Sequence, residues 1–202
     1  MPGPFDILTV HGTGTMAQPY TITTQTPHTL LVVGVGMRGG DAGTILYGGG
    51  TLTEIGHYVY SASDSVALHA ISNPPIGLGT ITSGSCTEEY GLFAMVFTDA
   101  DVGDPYETPG TSAAGTLNIV APANSVVVDI INSNTNISMD ASQTQIGVNQ
   151  HIIEGAGYVG MSYEYAPAVG GTVSMLWTEG YGDWAHIGVA VNQLPPSSVV
   201  WW

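Results

Sequence analysis

Thr172-Val173-Ser174-Met175-Leu176-Trp177 and, one turn later, His186-Ile187-Gly188-Val189-Ala190-Val191 decide the fold class. In the first stretch Val173, Met175 and Trp177 alternate with Thr172, Ser174 and Leu176. In the second, Ile187, Val189 and Val191 alternate with His186, Gly188 and Ala190. Successive side chains of a strand point to opposite faces, so a period of two marks extended chain. Working outward, runs rich in Thr, Val, Ile and Tyr predict strands at 7–10, 20–24, 30–35, 44–47, 51–60, 66–71 and 79–82. Further strands are predicted at 90–97, 116–120, 125–131, 144–151, 158–165, 172–177 and 184–191. The 28 glycines and 12 prolines punctuate them as turns. No stretch of about 11 residues carries a helical period without Gly or Pro, so helix is expected to be minor.

The 202 residues are 44% hydrophobic, which is enough for a packed core, while only 8% are charged. Sixteen acids face a single base, Arg38, giving a formal charge of -15. Phosphate contacts depend on Lys and Arg, so nucleic-acid binding is excluded as a function, and a polybasic membrane anchor with it. The one cysteine, Cys86, cannot form an intramolecular disulfide and reads as a small buried hydrophobe. The opening Met1-Pro2-Gly3-Pro4-Phe5-Asp6 lacks the basic start and apolar run of a secretory leader. Apolar runs such as 30–35 and 92–97 are far shorter than a bilayer span, so no membrane insertion is expected.

A weak internal echo divides the chain. Pro27-His-Thr-Leu-Leu-Val-Val matches Pro122-Ala-Asn-Ser-Val-Val-Val, and His57-Tyr-Val matches Gly157-Tyr-Val. Pro75-Ile-Gly-Leu-Gly-Thr-Ile matches Pro167-Ala-Val-Gly-Gly-Thr-Val, and Tyr90-Gly-Leu-Phe-Ala matches Trp184-Ala-His-Ile-Gly. Matches in one order at similar spacing suggest two related halves of a double Greek key. The expected architecture is an all-β, antiparallel two-sheet sandwich, jelly-roll-like, with two pseudo-repeated halves. Residues 1–194 would form one domain, and 195–202 an apolar C-terminal tail.

Six segments in order carry a further likeness: Leu30-Leu-Val-Val-Gly-Val, Ile45-Leu-Tyr-Gly-Gly, Leu52-Thr, Ser72-Asn-Pro-Pro-Ile-Gly, Ser125-Val-Val-Val-Asp, and Trp184 with Gly188-Val-Ala-Val. Together they resemble a β-sandwich module of tailed-phage virion proteins and of bacterial or archaeal surface proteins. The resemblance implies a jelly-roll-like sandwich with a structural or adhesive role, and it brings no catalytic residues. Such modules often sit within longer chains, and the C-terminal tail is not part of the pattern.

Candidate sites are few. Asp99, Asp101 and Asp104, with Glu107 nearby, offer clustered oxygens of the kind calcium prefers, although the spacing is not that of an EF-hand and a solvated acidic loop is the plainer reading. The histidines at 11, 28, 57, 69, 151 and 186 show no zinc-ligand spacing. Gly34-Val-Gly36-Met-Arg38-Gly39 matches a dinucleotide fingerprint, but the glycines that follow cannot open the helix it requires. Glu54, Glu88, Glu89, Glu154, Glu164 and Glu179 could serve as acid or base, and sequence does not fix their separation. Trp177, Tyr181 and Trp184 cluster about one hairpin, where exposed rings would stack on sugars and buried ones would fill the core. Asn136-Ile137-Ser138 matches a glycosylation sequon and reads as coincidence. No catalytic residue, metal or cofactor is assigned.

The final Val199-Val200-Trp201-Trp202 follows Pro195-Pro196-Ser197-Ser198. Burying a large apolar side chain is worth about 1.5–3 kcal/mol, so this tail is expected to dock on its own sandwich or on an adjacent subunit. These features predict a non-enzymatic structural protein of a phage-like virion exterior or extracellular assembly, a decoration, head-fibre or tail-associated part. Its expected partners are copies of itself and other virion or surface proteins. The alternative expectation is a glycan-binding adhesion module.

Overall fold

The computed structural model describes residues 5–23, 28–37, 42–61, 64–86, 89–134, 137–139, 143–152, 157–178 and 184–194. Strands and no helix form among them. The first half contributes β1 (Phe5–Thr13), β2 (Met16–Ile22), β3 (Leu30–Met37), β4 (Ile45–Tyr47), β5 (Gly50–Thr51), β6 (Thr53–Ser61), β7 (Asp64–Ser72), β8 (Gly77–Ser83) and β9 (Glu89–Phe97). The second contributes β10 (Gly110–Ser112), β11 (Thr116–Ala121), β12 (Val126–Ser133), β13 (Ser138–Met139), β14 (Thr144–Ile152), β15 (Gly157–Tyr165), β16 (Gly171–Thr178) and β17 (Trp184–Val191).

Four sheets result: β1-β9-β3-β7-β6 and β2-β8-β4-β5 from the first half, β10-β17-β12-β15-β14 and β11-β16-β13 from the second. If β5 and β6 count together as a fifth strand, each half has eight. One sheet of each half then runs first-eighth-third-sixth and the other second-seventh-fourth, the jelly-roll order. The all-β antiparallel sandwich expected from the sequence is therefore present, once in each half. Leu52 is where the predicted strand 51–60 changes sheets: β5 pairs with β4, β6 pairs with β7, and the Leu52 amide donates to the Ile45 carbonyl at 2.9 Å.

The two five-stranded sheets pack face to face. Leu30, Val32, Phe93 and Met95 meet Val128, Ile130, Met161 and Ile187 in one central core. The other two sheets cover the outer sides, giving four layers. Inner strands are consequently buried on both faces, which is why β3 reads as an unbroken apolar run and every residue of β12 is buried. Outer strands alternate; along β11, exposed and buried residues follow one another strictly. The alternation in β17 has a different meaning. Ile187, Val189 and Val191 enter the central core, while Ala190 enters the core of the second half's own sandwich.

The halves are related by a pseudo-two-fold axis. Leu30 pairs with Phe97 and Ser72, and Val126 pairs in the same way with Val191 and Tyr165, so Gly34 and Ile130 hold equivalent places. A Cβ on Gly34 would stand 2.9 Å from Ile130 Cδ1. A residue that meets its own counterpart lies on the axis of an isologous contact. Across the same interface, buried Asn132 donates from Nδ2 to the carbonyls of Met37 (2.8 Å) and Ser65 (3.3 Å). Three of the four sequence echoes fall on equivalent strands. The fourth, His57-Tyr-Val with Gly157-Tyr-Val, matches β6 to β15, which occupy different places in their sheets.

The linking segment is zipped to the end of the chain. Asp101 donates its amide to Asn192, Asn192 to Pro105, Glu107 to Ala190 and Leu194 to Asp99, at 2.7–3.0 Å. The predicted linker 99–114 also contains an unexpected strand, β10, which takes the first-strand place beside β17.

Two predictions follow from this packing. A Cβ on Gly36 would lie 2.5 Å from Val159 Cγ1, so Gly36→Ala should cost about 1–3 kcal/mol in denaturant titration, and Val159→Ala in the same chain should recover part of it. The Tyr20 hydroxyl donates to the Asp6 carbonyl. Its phenol is held above the ordinary 10.0 by burial first, then by the Asp6 carboxylate and Tyr47. The unfolded chain releases this proton first, so stability should fall as pH rises past the ordinary tyrosine value. Tyr20→Phe should flatten that decline in denaturation midpoints measured against pH.

Candidate functional site

One constellation of chemistry-bearing side chains lies inside the second half's sandwich. Asp129 on β12, wholly buried, sits in a run of Val and Ile and directs its carboxylate between the sheets. Trp177 Nε1 donates to Asp129 Oδ2 at 2.7 Å, and His186 Nε2 stands 2.7 Å from the same oxygen. The Ser162 amide and hydroxyl both donate to Asp129 Oδ1, the amide at 3.1 Å. Gln143 closes the network: its Nε2 donates to Ser162 Oγ at 2.8 Å and its Oε1 accepts the Leu176 amide at 2.6 Å. His186 Nδ1 faces the Ala114 carbonyl at 3.2 Å. That oxygen only accepts, so Nδ1 carries a hydrogen, and one further proton lies between Nε2 and Asp129. The pair is therefore neutral as a unit.

Ser, His and Asp together invite comparison with a nucleophilic triad, but the wiring differs. In a working triad the serine faces the imidazole and the carboxylate holds the imidazole's far side. Here Ser162 and His186 both turn to the carboxylate, and Ser162, His186 and Asp129 are all 0% exposed. The network supports the sandwich and activates no nucleophile. In the first half, register places Val33, Leu92 and His69 at the positions of Asp129, His186 and Ser162, so the acid and its imidazole partner are replaced there by hydrocarbon.

The residues singled out from sequence are not brought together as a site. Trp177 is 2% and Trp184 8% exposed, packed with Ile131 and Ile137. A Cβ on Gly160 would lie 2.6 Å from Trp177 Cη2, so the glycine leaves room for the ring. The stacking role considered for Trp177 and Trp184 is corrected accordingly: both rings are packed in the core, and the Trp177 N–H is taken up by Asp129. Tyr181, Arg38, Gly39, Glu88, Glu154, Glu179, Asn136 and the tail residues Val199, Val200, Trp201 and Trp202 lie outside the described residues. Gly34 and Gly36 are consecutive core-facing residues of β3, shaped by Ile130 and Val159 rather than by a phosphate.

In the acidic loop, Asp101 Oδ1 accepts the amides of Gly103 (3.1 Å) and Asp104 (3.3 Å), and Glu107 Oε1 accepts from Asn192 Nδ2 (3.1 Å). Asp99, Asp101 and Asp104 are not gathered as a ligand set; among the described residues no three of His, Cys, Asp and Glu could hold a metal ion. Glu54 lies 2.9 Å from His57 and Glu89 lies 3.9 Å from His11, both toward the surface.

The most distinctive surfaces are the two outer faces. The seven strands that build them, β2, β4, β5, β8, β11, β13 and β16, contain no Asp, Glu, Lys, Arg or His. Among the described residues the acids sit in the inner sheets and the loops. Threonine, serine and asparagine dominate the exposed positions, as at Thr21, Thr80, Asn118, Thr172 and Ser174.

Removing Asp129 alone leaves its buried donors unanswered, so Asp129→Ala should cost about 3–5 kcal/mol in chemical denaturation. The double substitution Asp129→Val with His186→Leu copies the first half and should be more stable than Asp129→Ala by the same measurement. Comparison with protein-family models, curated proteins and solved structures gives no match to this chain.

Proposed function

We propose that this chain is a non-enzymatic structural protein of a phage-like virion exterior or a comparable extracellular assembly, working through contact with further copies of itself. The observation that carries this reading is the distribution of charge. A chain of net charge -15 keeps the strands of both outer sheets free of Asp, Glu, Lys, Arg and His, while the acids among the described residues lie in the inner sheets and the loops. Like charges elsewhere on the chain keep particles apart, and uncharged faces allow neighbours to approach. The polar network that most resembles a reaction centre is sealed and wired for support, which favours a building block over a catalyst. The resemblance to virion and surface modules points the same way. Near-absence of Lys and Arg also leaves trypsin-like proteases one cleavable residue, Arg38, which suits an exposed coat.

The full chain should therefore show a mass above its 20.9 kDa that rises with concentration in static light scattering at physiological salt. A single-chain mass up to the solubility limit would sink the reading.

A further inference from the structure

We infer that a second copy of this chain docks on each outer face, centred on Leu78 in one and on Val120 in the other; the inference rests on the structural reading above and names the surfaces it uses. Among the described residues the four most exposed large hydrophobics are Val169 (91%), Leu78 (77%), Val120 (76%) and Ile76 (55%). All four belong to the outer sheets or to the loops that enter them, and Leu78 and Val120 fall on matching rungs of the two halves. Ile22 pairs with Gly77 and Ala121 with Gly171, so the next rung is Thr21 with Leu78 in one half and Val120 with Thr172 in the other. Each rung holds one threonine and one bared aliphatic side chain, with the strands exchanged. Ile76 and Val169 precede β8 and β16 respectively, flanking those rungs. An isolated exposed apolar residue needs no explanation, but the same spot bared twice on equivalent surfaces does.

The charge pattern selects the occupant. A cationic or anionic partner finds no complementary group on these strands. Another copy carries the same neutral face, and there the repulsion between two chains of charge -15 is weakest. The chain already packs two of its sandwiches sheet against sheet at the central core. Each face is built on two long strands with only short strands beside them and covers on the order of 300 Å², below the about 800 Å² per partner of a standard stable interface. Each contact is consequently weak alone, and because the two faces look in opposite directions the copies extend into rows.

The test compares the full chain with the double variant Leu78→Asp/Val120→Asp and with Leu78→Thr/Val120→Thr, which copies the neighbouring threonine. Both sites are exposed, so unfolding midpoints should match the parent. The aspartate variant should weaken self-association by at least about tenfold in concentration-dependent light scattering, and the threonine variant should weaken it less. If the parent assembles and the aspartate variant assembles equally well, the docking faces are wrong while the structural reading stands. If the parent itself stays a single chain, both fall.

Discussion

Everything in this molecule depends on two β-sheets that are buried on both sides. A sheet in water has one dry face; here the inner sheets have two, because each closes its own sandwich outward and meets its counterpart inward. That constraint dictates composition. Residues facing one core must leave room for residues facing the other, and where the sheets come closest only glycine fits, as at Gly34 opposite Ile130 and at Gly36 and Gly91 against Val159. Asn132 is tolerated at this interface because its amide satisfies backbone carbonyls of the other half.

The architecture behaves as a two-fold dimer whose subunits share one chain. Symmetry would require the halves to match, but covalent joining lets them diverge. They have done so at Asp129 and His186, where the first half holds Val33 and Leu92. Replacing an ion-pair-like network by packed hydrocarbon is often neutral or favourable, so the network is not required for a sandwich of this kind. What it adds is specificity: Trp177 and the Ala114 loop each have one place to bond.

Much of this was legible in sequence, for physical reasons. Period two exposes the outer strands, as in Thr172 to Trp177, and apolar runs such as Leu30-Leu-Val-Val expose the inner ones. What could not be read was which core each phase serves. Ile187 and His186 alternate like an ordinary inside-outside strand, yet both are buried, because the second face meets another sheet instead of water. Register was equally hidden. The echo of Pro27 with Pro122 lies one residue out of step with the structural pairing of Leu30 and Val126, and a single step reverses every side chain. The polar network left one clue, a carboxylate between Val128 and Ile130; its partners come from three other strands and two loops, which no local pattern brings together. Trp177 and Trp184 could be read as stacking rings or as core, because proximity in a hairpin says nothing about which way the rings turn.

The zipped linker has a mechanical corollary. At the C-terminal side, β17 is clamped between β10 and β12 while Asn192 and Leu194 are laced to the segment at Asp99 to Pro105. At the N-terminal side β1 has one ladder, along β9, with Asp6 also bonded to Thr23 and to the Tyr20 hydroxyl. Freeing the last strand therefore means breaking two ladders and the linker bonds together, whereas the first strand has a single ladder to lose. The two ends of the fold are thus unequally fastened.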